Sequence, residues 1–155
     1  MKNFTYDEIK IGDTASLEKI LTNEDIKIFA AMTGDVNPVH LDPDFAKTSI
    51  FGNVVAHGMW GSVFFSTLLG TKLPGLGTVY LSQTLNFLAP VYLGDTIKVE
   101  VEVKTKDDLK KRITFECRCI NQNQKTVIKG EALVIAPKEK IEHEDINLPP
   151  LGFLA

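Results

Sequence analysis

An aspartate and a histidine stand five positions apart in the stretch Thr33-Gly34-Asp35-Val36-Asn37-Pro38-Val39-His40. A carboxylate and an imidazole held close together can take up one proton and deliver another, which is what adding or removing water requires. Pro38 fixes its own φ and turns Asn37 away from the α region, so the stretch is expected to leave the preceding helix as a shaped loop. The acid would sit at one end of that loop and the base at the other. Each residue also has a plainer role. Asp35 could cap nearby amides in an Asx-type turn, and His40 could rest a ring N–H on a carbonyl. The two together, with Asn37-Pro38 fixing the spacing, favour the chemical reading.

A second group begins at His57-Gly58, at the head of a nearly continuous apolar run to Leu69. The first amides of a helix lack internal partners and carry partial positive charge. Without a side chain, Gly58 lets a ligand oxygen come close. Its N–H would then stabilise a carbonyl that becomes an enolate. The alternatives are that His57 caps the helix or packs in the core, and that Gly58 only makes a tight turn. No metal site is expected. The chain has three histidines, and His143 lies far away in a charged tail with no ligand spacing to the others. No phosphate loop or dinucleotide glycine pattern occurs. Cys117 and Cys119 are two apart, which in a strand puts both thiols on one face. They are read as reduced core residues.

The elements that must position these groups follow from periodicity. Thr14 to Leu21 reads as a first strand. Thr22 reads as the N-cap of a helix with Ile26, Phe29, Ala30 and Met32 on its apolar face, ending at Gly34. Asp42-Pro43 starts a second, short helix. Gly58 to Leu69 reads as a helix of about three turns, apolar all round and so buried on every side. Val79, Leu81, Leu85 and Phe87 alternate with polar residues, as do Ile97 to Lys104 and Ile113 to Cys119, with Thr126 to Ile135 closing the series. The fold class is therefore α+β, one long buried central helix against a curved antiparallel sheet. The 155 residues suit a single domain spanning 1–155, with its core at about 11–136 and a charged, proline-containing tail at 137–155. Residues 148–154 of that tail could dock on the surface or on a partner subunit.

A net charge of −3 without a basic stripe argues against nucleic acid as partner. No stretch approaches the ~20 apolar residues that cross a bilayer, and residues 1–11 lack an apolar leader core. A cytoplasmic protein is expected, with no membrane partner.

The motifs resemble those of the MaoC-like dehydratases, the (R)-specific enoyl-CoA hydratase family. Thr-Gly-Asp-x-Asn-Pro-Val-His followed by five residues and Ala46 matches its signature. Ala56-His57-Gly58-Met59, Leu69-Gly70 with Leu73-Pro74-Gly75, and Phe87-x-x-Pro90-Val91-x-x-Gly94-Asp95 support it. The resemblance implies the hot-dog fold, a helix wrapped by an antiparallel sheet. It implies that Asp35 and His40 activate a water that adds to a trans-2-enoyl thioester. The Gly58 amide would hold the thioester oxygen, and Asn37, His57 and Met59 would line the substrate. It further implies a homodimer or higher homo-oligomer and no cofactor, coenzyme A being part of the substrate. An acyl-carrier-protein thioester, a hot-dog thioesterase and a non-catalytic acyl-thioester module are the competing readings. Met59, Trp60, Phe64 and Phe65, bulky and close to the site in sequence, suggest a short acyl pocket.

Overall fold

The computed structural model describes residues 1–152. Six antiparallel strands form one sheet: β1 (Thr14–Ile20), β2 (Val79–Gln83), β3 (Asn86–Phe87), β4 (Thr96–Asp107), β5 (Arg112–Asn121) and β6 (Thr126–Ile135). Their order is β1-β4-β5-β6-β2, with the short β3 also paired to β6. The long strands carry the expected two-residue period. Ile97, Val99, Val101 and Val103 of β4 and Ile113, Phe115, Cys117 and Cys119 of β5 all turn inward and are at most 1% exposed. Each of the valine, isoleucine and phenylalanine side chains among them contributes roughly 1.5–3 kcal/mol by leaving water. Both cysteines are buried and free, as expected. Burial pushes their thiols up to about 11 at Cys117 and about 12 at Cys119, so neither is a ready nucleophile.

Four helices lie among the described residues: α1 (Asn23–Thr33), α2 (Pro38–Leu41), α3 (Pro43–Thr48) and α4 (Val63–Thr71), of which α4 packs on β4 and β1 while α2 packs between α1 and α3. Thr22 and Asp25 make a reciprocal capping box at the start of α1, and Gly34 closes it in the left-handed region at φ 78°. The α1 apolar face is narrower than expected. Ile26 and Ala30 are buried, whereas Met32 is 70% exposed.

The central helix differs more. Residues 58–62 form successive turns, with Trp60 N–H on the His57 carbonyl and Ser62 N–H on the Met59 carbonyl, and the α-helix begins only at Val63. Gly58 and Gly61 are the physical reason, because glycine is among the weakest helix formers. The helix is also not enclosed on all sides. Phe65, Leu68 and Leu69 are buried against the sheet, while Val63, Ser66 and Thr67 face outward.

Strand β2 departs from the expected half-buried pattern. Val79, Tyr80 and Leu81 are all exposed. The strand lies at the edge of the sheet, with β6 on one side.

The core begins earlier than residue 11. Tyr6 and Ile9 are at most 2% exposed, and buried Asn3 is held by Leu76, Glu139 and Ile141. The tail folds back across this N-terminal segment, where Lys2 pairs with Glu142. Of the tail segment expected to dock, Leu148 and Leu151 are exposed, and residues from 153 on lie outside those described.

Candidate active site

The loop after α1 is shaped by its own side chains. Thr33 Oγ1 accepts from the Asp35 amide at 3.2 Å, and Asp35 Oδ1 accepts from the Asn37 amide at 3.2 Å. Asn37 Oδ1 accepts from Val39 N–H at 3.2 Å, making Asn37 the N-cap of α2 with Pro38 at the tolerated first position. The expected shaped loop tightens in its second half into one helical turn, and His40 projects from it. The proline that ends one helix starts the next, because its missing N–H would be unpaired in a first turn anyway.

His40 Nδ1 lies 2.7 Å from the Val55 carbonyl oxygen. A carbonyl can only accept, so Nδ1 carries the proton, and in the neutral ring Nε2 presents a lone pair. That is the tautomer of a base. His57 Nε2 lies 2.9 Å from the Asp35 carbonyl oxygen and is the protonated nitrogen by the same logic. The His40 and His57 rings stack with centroids 4.0 Å apart and planes inclined by 26°. One carboxylate oxygen of Asp35 and one ring nitrogen from each histidine lie within 4.8 Å of one another.

This trio does not suit a metal. Stacked rings aim their in-plane lone pairs side by side rather than at one point. A tetrahedral ion needs its ligands to converge.

Beside the pair opens a cavity of about 480 Å³, apolar over most of its wall, with Asn37, His40, His57 and Gly58 at its polar end. Phe51, Val55, Phe87, Leu88, Val91 and Ile128 supply much of the rest. Such a wall suits an acyl chain. Asp35 stands at the rim, exposed, rather than on the wall. The Gly58 N–H donates to no group among the described residues, and a Cβ there would meet only Phe87, at 3.8 Å. It is a free amide at a turn rather than the first amide of an α-helix.

Asp35, Asn37, His40, His57 and Gly58 thus come together as the sequence reading anticipated. Met59 does not: its side chain is half exposed and lies outside the cavity wall. Trp60, Phe64 and Phe65 also stay off the wall, so they do not shorten the pocket. Trp60 packs edge-on against Phe64 at 5.2 Å. Sequence reasoning missed the Val55 carbonyl, a backbone group that no residue type announces. It also missed the Leu88-Ala89-Pro90 wall, for which the proline after β3 was the available signal.

An antiparallel sheet wrapped against a helix, with a carboxylate and two imidazoles at the mouth of an apolar cavity, defines the class as a hot-dog enzyme. The model of the MaoC like domain matches residues 8–125, and the chain belongs to that family. It is 43% identical over 132 residues to the (R)-specific enoyl-CoA hydratase of Rhodospirillum rubrum, covering 85% of this chain and 91% of that protein. It is 42% identical over 135 residues to the 3-hydroxybutyryl-CoA dehydratase of Methylorubrum extorquens, covering 87% and 85% of the two chains. Among solved structures, the unliganded R-hydratase PhaJ1 from Pseudomonas aeruginosa superposes with a TM-score of 0.92 at 43% identity, covering 98% and 97%.

Proposed function

We propose that the protein is an (R)-specific enoyl-CoA hydratase that also runs in reverse as a 3-hydroxyacyl-CoA dehydratase. The observation that carries this reading is the closeness of the Asp35 carboxylate to His40, whose Nε2 is free to act as base, at a cavity whose wall offers the unpaired Gly58 N–H. A water held between Asp35 and His40 gives up a proton to the pair as its oxygen bonds to C3 of the enoyl chain. The double-bond electrons move onto the thioester carbonyl, and the Gly58 amide stabilises that oxygen as it becomes an enolate. The pair returns a proton to C2 from the same face, so addition is syn. The C–S bond is never broken. Asn37 holds the loop, and the apolar wall orients the acyl chain.

The chemistry is proton transfer and charge stabilisation, so the proposed enzyme uses no metal or redox cofactor, and coenzyme A is carried by the substrate. A free coenzyme A thioester is favoured over an acyl-carrier-protein thioester because the relatives at 42–43% identity are named for coenzyme A substrates. The chain works as a single domain in a homodimer, with a second copy against the free edge of β2. Exposed apolar edge strands are ordinarily paired or covered, and Val79, Tyr80 and Leu81 are exposed here, which supports that placement. No helix among the described residues is long and apolar enough to cross a membrane. Two buried free thiols support a reducing, cytoplasmic setting.

Crotonyl-CoA tests the reading directly. Loss of the enoyl absorbance without release of free thiol, yielding the (R)-3-hydroxy product, is expected. Thiol release would show a thioesterase instead, and binding without either change would show a non-catalytic module.

A further inference from the structure

We infer that His57 is a positioning residue that sets the geometry of Asp35 and His40 together, rather than a contact to substrate. The inference rests on the hydratase reading and names how that site is held. His57 is 3% exposed, and its ring lies between His40 at 4.0 Å and Phe29 at 4.9 Å. Its Nε2–H reaches across 22 positions of sequence to the Asp35 carbonyl. Asp35 is then fixed on three sides: its N–H on Thr33 Oγ1, its C=O on His57, and Oδ1 under the Asn37 amide. That leaves Oδ2 as the oxygen free to hold a water.

His40 is fixed in a complementary way. The Val55 carbonyl sets how the ring is rotated, and the His57 face sets the plane in which it lies. His57 therefore touches both members of the pair at once, through an edge and through a face.

A purely packing role fits the facts poorly. His57 Nδ1 is buried and has no hydrogen-bond partner among the described residues. A buried acceptor left bare carries a cost that a phenylalanine or leucine at the same place would not have. The position keeps an imidazole because the other nitrogen donates to Asp35.

Two substitutions separate the roles. His57→Phe keeps a flat ring in the stack and removes the donor. His57→Gln restores an N–H donor and removes the ring. With crotonyl-CoA, His57→Phe is expected to lower kcat by about tenfold or more with KM unchanged, as misplacement of a catalytic group does. His57→Gln is expected to recover much of that loss, and both variants should melt at the wild-type temperature. Wild-type kcat in His57→Phe overturns the inference. So does a rise in KM alone, which marks a substrate contact, or an equal loss in both variants tracking a lower melting temperature, which marks a packing role. Two-bond ¹H–¹⁵N spectra of histidine-labelled wild-type protein give a readout independent of activity. His57 should carry its proton on Nε2 and His40 on Nδ1, and the opposite tautomer at either ring overturns the inference. If the wild-type protein does not hydrate crotonyl-CoA, the functional reading fails, while the tautomers still decide the geometry claimed for His57.

Discussion

Asp35 and His40 are close enough to share one water, so neither should work well alone. Asp35→Asn and His40→Ala are each expected to lower the hydration rate by ~10²–10⁴, the usual share of general acid–base catalysis. A folded Asp35→Asn protein with near-normal turnover would refute the mechanism. Gly58 separates chemistry from folding: its Cβ would meet nothing nearer than Phe87 at 3.8 Å. Gly58→Ala should fold with an unchanged thermal midpoint yet lose turnover as its methyl crowds the amide, and unfolding would mark the glycine as structural. Gly61 makes a different test. It lines the cavity, and a Cβ there would come 2.9 Å from Cδ1 of Ile128, which lines the same wall. Gly61→Ala should reduce kcat/KM for octenoyl-CoA more than for crotonyl-CoA, and a uniform loss across chain lengths would exclude it from setting pocket depth. The catalytic loop was legible in sequence because its instructions are local: a glycine C-cap, an Asx turn, a proline and an N-cap written within eight residues. The Val55 carbonyl was not, since every residue has a carbonyl and only the fold selects one.

At the scale of elements, β6 shows how a single missing side chain builds the site's wall. Gly130 sits where the chain crosses between β2 and β3, and an added Cβ would fall 1.8 Å from the Thr84 carbonyl oxygen. Thr84 donates its N–H to the Glu131 carbonyl, and its hydroxyl accepts from the Glu131 amide. This seam lets β3 swing back to bring Phe87 and Leu88 over the cavity. Gly130→Ala is expected to cost about 1–3 kcal/mol or more, because backbone rather than a flexible side chain must move. A urea midpoint equal to wild type would show that the seam relaxes freely. Long strands were readable from alternation alone. The central helix was misplaced by five residues because an apolar run reports burial without reporting whether turns or a helix are being buried. The glycines at 58 and 61 carried the missing information.

For the whole molecule, the outward apolar residues of β2 are the part that one chain leaves unfinished. The alternation of Val79, Leu81 and Phe87 was visible in sequence, yet alternation cannot say what covers a face, and here one copy covers none of the three. Sedimentation should show a dimer at micromolar concentration. Leu81→Lys should shift it toward monomer, and a wild-type protein that stays monomeric would remove the edge-pairing proposal. The joining of two separated stretches, 35–40 and 55–58, has a further consequence. The octapeptide dictates its own shape, but the proton position on its imidazole is dictated by the Val55 carbonyl, supplied 15 residues later. Transplanted alone into another scaffold, it would reproduce the outline of the loop and leave its histidine free to hold the proton on either nitrogen. The portable unit of this chemistry is therefore a pair of segments, and a graft or a motif search that takes only the first carries the form without the reactivity.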